Sequence, residues 1–415
     1  MKNSSGDVEY SDVVVNGDVD VETTGGNYWA VYVAPEPNNS ASVTVNGDVA
    51  LEGYHFDAGV RVFANANAKA SADISGNVEA INTSNEELAR GAIVKLQGKG
   101  EASLTVGGDI TANGTTDTSY GLEVEADAQG NPAVVVVGGT IESGRTAVYL
   151  ENDDQSADHK ASELLDLTVW KIVSGRDVLF STSNNVADGD EGLAAAVNYI
   201  VKISDSCKDV LSATGESGAL ATKAGYVVAH QDDKVYLVPA DGYYITKAYN
   251  GEGEGKVELK QDADGRYYYT VPAGGGVLLS AEMDNHYDIT LDLGGGTLGG
   301  KTDSVVQSTE YGTVIKLPEP TREGYRFLYW EGSRYDAGAE YEVKGAHKFT
   351  AVWEKAEVKA ASAPASSTAS SSSMPQTGDT APVLPVVATL VVAAAAIGAS
   401  RSKLQPARAG KHARR

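Results

Sequence analysis

Residues 42–51 read SVTVNGDVAL, with an Asn-Gly pair between two valine-rich stretches. Asn-Gly in this setting is typical of a two-residue β-hairpin turn. A hairpin closed by Asn46 and Gly47 requires the apolar positions to change parity across the turn, because facing residues point to the same side of a sheet. Here they keep one parity, at Val43, Val45, Gly47, Val49 and Leu51. We therefore predict that one face stays buried through the glycine and that the chain bends at a corner without folding back.

The same pattern recurs along the first 150 residues. Its copies are VVVNGDVDV, SVTVNGDVAL, SADISGNVEA, SLTVGGDITA and VVVVGGTIES, which are 29 to 32 residues apart, and each is centred on a glycine: Gly17, Gly47, Gly76, Gly108 and Gly139. A second apolar strand recurs between them, as AVYV, GVRV, IVKL, GLEV and AVYL. A repeat of this length predicts a parallel β-solenoid of about five rungs over residues 1–180, with inward Val, Ile and Leu stacked between rungs.

This region resembles the right-handed parallel β-helices of bacterial adhesin-like surface proteins. Tandem antiparallel sandwiches are the alternative. A solenoid needs a cap at each end, because its terminal rung otherwise exposes open strand edges. We expect the downstream cap at 161–175, ASELLDLTVWKIVSG, whose apolar residues do not follow the repeat. The start, MKNSSGDVEYSDVVVNGDV, contains neither a cap nor the apolar core of a signal peptide, so we expect further rungs upstream.

Residues 198–285 are rich in tyrosine and tight turns, which predicts a small β-sandwich. Val238 stands opposite Ile245 around Asp241-Gly242, which satisfies hairpin parity and predicts a hairpin there. A second Asp-Gly pair follows Asp262. We interpret this stretch as a turn, because the further acidic ligands of a calcium loop are missing at the required spacing.

The chain from 287 to 354 closely resembles the Listeria-Bacteroides repeat, also called the internalin-type B repeat. The matching residues are Gly294-Gly295-Gly296, Tyr311-Gly312, Leu317-Pro318, Pro320, Arg322-Glu323-Gly324-Tyr325, Phe327, Trp330, Tyr341 and Ala351-Val352-Trp353. The resemblance implies a β-grasp-like module over 286–355, of a kind found in secreted bacterial proteins as a stalk or an interaction module. Its aromatic residues alternate with polar ones at strand period, so we predict that they form its core.

Composition excludes several classes of partner and site. The formal net charge is −24, and this charge repels phosphate backbones, so we predict no nucleic-acid partner. The single cysteine, Cys207, excludes an intrachain disulfide and a cysteine-rich metal site, and we interpret it as a small core residue. The six histidines are scattered without ligand spacing. We therefore predict no metal and no cofactor.

The C-terminal part predicts a spacer and a membrane anchor. Residues 356–373 are rich in Ala and Ser and too poor in apolar residues to fold, which is typical of a flexible linker. Residues 381–399 carry no charge and would span about 28 Å as a helix, which matches a bilayer. The tail 400–415 contains six Lys and Arg residues and no acid, so it should remain on the cytoplasmic side.

Upstream of the anchor stand Met374, Pro375, Gln376, Thr377 and Gly378. The pentapeptide resembles the sortase sorting signal of Gram-positive surface proteins, usually Leu-Pro-x-Thr-Gly before an apolar span and a basic end. Proline fixes a kinked backbone, threonine offers the carbonyl that the sortase thiolate attacks, and glycine leaves room for the nucleophile. The resemblance implies cleavage after Thr377 and covalent attachment of that residue to peptidoglycan. Met374 replaces the usual leucine, which leaves the sortase class open, and an uncleaved membrane anchor is the alternative.

These features predict a secreted, cell-wall-anchored surface protein of a Gram-positive bacterium with a membrane-anchored precursor. We expect an adhesin or a structural or interaction protein on a modular stalk, with sortase, peptidoglycan and a host or bacterial surface ligand as partners. The alternative is a carbohydrate-binding or polysaccharide-processing β-helix. We predict no enzymatic activity, because the outward acids near the repeat glycines form no catalytic cluster and are explained by local bonds to backbone amides. These acids are Asp18, Asp48 and Asp109, with Asn77 and Thr140 at the equivalent positions of the other copies.

Overall fold

The computed structural model describes residues 11–24, 28–53, 58–83, 89–113, 119–176, 178–332 and 334–357. The chain is all-β and begins with a parallel β-solenoid of about five turns, as predicted. The solenoid strands are β1 Ser11–Val15, β2 Val19–Thr23, β3 Trp29–Val33, β4 Ser40–Val45, β5 Val49–Gly53, β6 Ala58–Ala64, β7 Lys69–Ile74, β8 Val78–Asn82, β9 Arg90–Leu96, β10 Glu101–Val106, β11 Ile110–Ala112, β12 Tyr120–Ala126, β13 Ala133–Ser143, β14 Thr146–Asn152, β15 Leu165–Ser174 and β16 Val178–Thr182.

Each turn contributes strands to three parallel sheets. The first sheet runs β1-β4-β7-β10-β13-β15, the second runs β2-β5-β8-β11 and continues into the second half of β13, and the third runs β3-β6-β9-β12-β14-β16. The register places like residues above one another, as in the inward column formed by Val45, Ile74, Val106, Val137 and Val169. All five are at most 2% exposed. Burying such a side chain contributes about 1.5–3 kcal/mol, so these columns form the core.

The corner between the first and second sheets confirms that the Asn-Gly pair does not close a hairpin. β4 pairs with β1 and β7, whereas β5 pairs with β2 and β8. At this corner each outward side chain accepts the backbone N–H of its equivalent in the next turn. The four N···O distances are 2.9 Å from Asp48 to Asp18, 2.7 Å from Asn77 to Asp48, 2.9 Å from Asp109 to Asn77 and 2.6 Å from Thr140 to Asp109. We call this series the corner ladder.

The corner ladder corrects the expectation of local bonds, because its partners are 29 to 32 residues apart. It also explains the glycines of the second to fifth copies, whereas a Cβ atom on Gly17 in the first copy would meet nothing within 4 Å. A Cβ atom on Gly76 would lie 2.1 Å from Asp48 Oδ1 and 2.7 Å from the carbonyl oxygen of Gly47. The carboxylate of one turn therefore occupies the space that a side chain on the next turn would need.

We predict that Gly76→Ala destabilises the solenoid by about 1–3 kcal/mol, because the new methyl group forces the ladder and the backbone apart. Gly255→Ala is the matched control, since a Cβ atom there meets nothing within 4 Å. The free energy of unfolding from urea denaturation, followed by circular dichroism, measures both. Equal stability of the two variants would contradict the role of the ladder.

The segment expected to cap the solenoid is part of it. Residues 161–175 form a short helix, α1 (Ala161–Leu164), followed by β15, which pairs in parallel with β13. Leu165, Leu167 and Val169 alternate at strand period and are buried, so they extend the inward columns. A second helix, α2 (Gly189–Ala196), contacts β16. The cap prediction was wrong because a segment can depart from the consensus sequence of the repeat while its apolar residues still alternate and face inward.

His159 lies just before α1 between two carboxylates. Its Nε2 is 3.2 Å from Asp154 Oδ2, and its Nδ1 is 3.4 Å from Glu163 Oε2. The hydrogen bond to Asp154, and then that to Glu163, raises the pKa of His159 above its ordinary value.

We predict that His159 stabilises the fold most below about pH 6.5, its unfolded-state pKa. Because the folded-state pKa is the higher one, this contribution is lost as the pH rises through the folded-state value. The stability difference between the wild type and His159→Gln, measured by denaturation from pH 5 to pH 9, should therefore shrink with rising pH. A constant difference would contradict the prediction.

The strands that follow either continue the first sheet of the solenoid or form a separate four-stranded sheet. They are β17 Asn198–Ile203, β18 Leu211–Gly215, β19 Ala221–Lys223, β20 Tyr226–Ala229, β21 Lys234–Pro239, β22 Tyr244–Asn250, β23 Val257–Glu258, β24 Lys260–Gln261, β25 Tyr267–Thr270 and β26 Val277–Asp284, with a 3₁₀ turn at Gly253–Gly255. β17 pairs in parallel with β15 and with β26. Most of the buried apolar residues of this region and of the solenoid form one hydrophobic cluster.

The hairpin predicted around Asp241-Gly242 does not form. Val238 pairs with Ser212 in the sheet β18-β21-β25-β24, whereas Ile245 pairs with Met283 of β26. The chain does turn there, but Val235 and Leu237 face the core and Val238 is exposed, so the assumed buried face was wrong. The turn after Asp262 is confirmed, since β24 and β25 pair antiparallel and Asp262 accepts the backbone N–H groups of two residues in the turn, Asp264 and Arg266.

The last strands are β27 His286–Asp292, β28 Val305–Glu310, β29 Val314–Lys316, β30 Tyr325–Glu331, β31 Glu340–Glu342 and β32 His347–Lys355. Four of them form the sheet β28-β27-β32-β30, and β29 pairs with β31. Trp330 and Phe349 are fully buried in a separate cluster, and Trp330 Nε1 donates to the carbonyl oxygen of Pro318 at 2.8 Å. Trp330 thus belongs to the core, as predicted.

Candidate functional site

The outer side of the third sheet concentrates aromatic and charged side chains. In β12, the inward Leu122 and Val124 alternate with the outward Glu123 and Glu125. Parallel pairing sets Glu123 beside Tyr149 and Glu125 beside Lys95 and Glu151. We call this surface the third-sheet face, and its members are Trp29, Tyr32, Arg61, Arg90, Lys95, Tyr120, Glu123, Glu125, Tyr149 and Glu151.

Two stacks of aromatic rings lie on this face, each with an arginine. The Trp29 and Tyr32 rings stack with centroids 4.5 Å apart, and the Arg61 guanidinium lies 5.5 Å from the Trp29 centroid. Tyr32 is 46% exposed. The Tyr32 ring is therefore accessible to a ligand, while the Trp29 ring contacts both Tyr32 and Arg61.

The second stack is covered. The Tyr120 and Tyr149 rings are nearly parallel, with centroids 4.6 Å apart, and Arg90 lies 5.9 Å from the Tyr120 centroid. Only 7% of Tyr120 is exposed. Burial, and then the charge of Glu123, raises the pKa of Tyr120 to about 12, so this phenol stays protonated near neutral pH.

Ion pairs connect neighbouring strands on the same face. Arg90 pairs with the buried Glu123, and Lys95 pairs with Glu125 and, at 2.9 Å, with Asp153. Burial alone would lower the pKa of Lys95, but its hydrogen bonds and charge interactions with these two carboxylates raise it. Both cations are thus held in place by carboxylates of the next one or two turns.

Glu151 has a different environment from the other carboxylates of this face. Burial raises the pKa of Glu151, and the charges of Glu125 and Asp153 raise it further. Glu125, by contrast, accepts a hydrogen bond from Lys95. The face therefore offers an accessible ring, fixed cations and carboxylate acceptors.

The residues predicted from sequence fall elsewhere. Met374, Pro375, Gln376, Thr377 and Gly378 lie outside the described residues, as do the predicted span 381–399 and the tail 400–415. In the part that the structure describes, no helix is long and apolar enough to cross a membrane. Asp18, Asp48 and Asp109 belong to the corner ladder, and Cys207 is 5% exposed, in agreement with its interpretation as a core residue.

Sequence reasoning missed the third-sheet face, although a signal was present. GLEVEA at 121–126 and AVYLEN at 147–152 carry Glu or Tyr at every second position of the second repeat strand. The acids near the repeat glycines, which the sequence singles out, belong instead to the corner between the first and second sheets.

No protein-family model matches this chain, and comparison with curated proteins finds no match.

We predict that Glu123→Ala destabilises the protein by about 3 kcal/mol, because it leaves the partly buried Arg90 without its carboxylate. Glu101→Ala is the matched control. It breaks the pair of Lys69 and Glu101, whose side chains are 60% and 52% exposed, and should cost less than about 1 kcal/mol. Urea denaturation measures the free energy of unfolding of both variants. A similar loss of stability in the two would contradict the prediction that the buried pair contributes more than the exposed one.

Proposed function

We propose that this protein is a cell-wall-anchored surface protein of a Gram-positive bacterium that acts as an adhesin or a structural or interaction protein. The observation that carries the proposal is the order of three sequence features: the pentapeptide Met374–Gly378, the uncharged stretch 381–399 and the basic tail 400–415. Sortase and peptidoglycan are then the partners, with the covalent link through Thr377. Cleavage there removes Asp379 and six basic residues and changes the net charge from −24 to −29.

The proposed architecture places a binding body on a stalk. The solenoid is a right-handed β-helix, residues 198–285 are a small β-sandwich, and residues 286–355 are an internalin-type B repeat with a β-grasp-like fold. The linker 356–373 carries these parts away from the wall. The solenoid of about five turns supports this assignment, because stacked turns give an extended surface whose outward residues are free to vary.

The third-sheet face is the proposed ligand-contacting surface. Corner side chains are committed to the ladder and inward side chains to the core, whereas this face carries charged and aromatic groups on successive turns.

Carbohydrate binding is a second candidate function, favoured by the exposed Tyr32 ring beside Trp29 and Arg61. A sugar presents apolar C–H groups to such a ring and hydroxyls to a guanidinium. Retention on one glycan without turnover supports this candidate, and release of reducing ends indicates polysaccharide processing.

We predict that sacculi from a Gram-positive host exporting the protein contain a peptide that ends at Thr377 and bears a muropeptide. Thr377→Ala should abolish this product, because the backbone carbonyl of that residue is the one attacked and its side chain is recognised. Gln376→Ala is the control, since the signal accepts any residue there. Mass spectrometry of muramidase digests provides the measurement, and persistence of the intact C-terminus in lipid extracts would contradict wall anchoring.

A further inference from the structure

A shallow pocket lies where β26 leads directly into β27. Its volume is about 500 Å³, and it is lined chiefly by Tyr244, Asp284, His286, Tyr287, Asp288 and Ser308. The lining comes from three strands, β22, β27 and β28, together with the end of β26. None of these residues belongs to the third-sheet face or to the sorting signal.

Two tyrosine rings form one corner of this pocket. The ring centroids of Tyr244 and Tyr287 are 5.4 Å apart, and the rings are inclined at 55°. The Tyr244 hydroxyl donates to the carbonyl oxygen of His286 at 3.2 Å and lies 3.3 Å from Asp284 Oδ2. The Tyr287 hydroxyl donates to the carbonyl oxygen of Gly242 at 3.3 Å. Because both hydroxyls are hydrogen-bonded, the two rings are held in place, and both line the pocket.

Two carboxylates complete the pocket. Asp284 accepts the backbone N–H of His286 at 2.9 Å and is also 2.9 Å from His286 Nδ1. These bonds lower the pKa of Asp284, so it is ionised at neutral pH. Asp288 is exposed, and its carboxylate has no ion pair or hydrogen bond with any described residue.

The negative charge of the pocket is not balanced by its own residues. No lysine or arginine is among the described residues that line it, and His286 is engaged with Asp284. Partial burial, and then the charges of Asp284 and Asp288, raises the pKa of the Tyr244 phenol. Aromatic faces beside uncompensated carboxylates favour a cation.

We propose that this pocket binds a small ligand through a positively charged alkylammonium group, with the charge against Asp288 and the alkyl part against Tyr244 and Tyr287. A metal ion fits less well, because aromatic faces are not metal ligands and no cluster of three His, Cys, Asp or Glu residues in the described chain can hold one. The net charge of −24 favours the approach of such a ligand. This binding goes beyond the proposed anchoring and display, and does not depend on them.

The test compares ligands that differ in charge. Choline and 3,3-dimethylbutan-1-ol have nearly the same shape, but only choline is charged, and ethanolamine and ethylene glycol form the corresponding primary-amine pair. Titration of the full chain, followed by calorimetry or tyrosine fluorescence, should give a dissociation constant at least tenfold lower for the charged member of one pair. The pair that binds identifies a quaternary or a primary ammonium source. Equal binding within both pairs, or no binding, would overturn the proposal.

Variants locate the site. Asp288→Asn should weaken binding of the charged probe at least fivefold, and Tyr244→Ala at least tenfold, whereas Tyr244→Phe retains the ring and most of the affinity. Asp303→Asn removes the same charge from an exposed residue outside the pocket and should leave the affinity unchanged. Circular dichroism verifies that each variant is folded. If Asp288→Asn and Asp303→Asn bind alike, the pocket is not the site.

Discussion

Register between successive turns is the constraint on which this structure depends. In a parallel solenoid every residue lies about 4.8 Å above its counterpart in the preceding turn. The side chains of one column must therefore pack against or bond to each other along its whole length. The inward columns meet this condition with stacked Val and Ile, as from Val45 to Val169. The corners meet it with the ladder from Asp18 to Thr140, where each side chain accepts the N–H of the next turn. Glycine at four of the five corners follows, from Gly47 to Gly139, because the ladder fills the space that a side chain would need.

The same constraint determines where functional residues can stand. Residue types in the core columns and at the ladder corners are restricted by the neighbouring turns. Outward positions, such as those of the third sheet, can therefore carry different residue types. There even charged residues are arranged by register, with Lys95 between Glu125 and Asp153 and Arg90 against Glu123. These ion pairs fix the charged side chains in advance, which would lower the entropic cost of binding at the proposed ligand-contacting surface.

The sequence predicts the solenoid well and its end poorly, for a physical reason. The parity of the apolar residues on either side of Gly47 is a property of a short stretch of sequence, and it indicates directly which face of the strand is buried. Pairing partners are not local, which is why the cap at 161–175 and the hairpin between Val238 and Ile245 were wrong. The third-sheet face could have been predicted from the alternation of residues in 121–126. The pocket beside Tyr244 could not, because its rings and carboxylates come from separate strands. The predicted sorting signal is a local motif, so its prediction from sequence does not depend on the fold.

Disulfide formation between turns tests the register most directly. Ser42, Ser71 and Ser103 lie in one outward column on successive strands. In a Cys207→Ala background, cysteine pairs at 42 and 71 or at 71 and 103 have Cα atoms about 4.8 Å apart, within the range of a disulfide, whereas 42 and 103 are about twice as far apart. The account predicts rapid oxidation of the two adjacent pairs and none of the distant pair. Crosslinking of 42 with 103, or failure of both adjacent pairs, would contradict it.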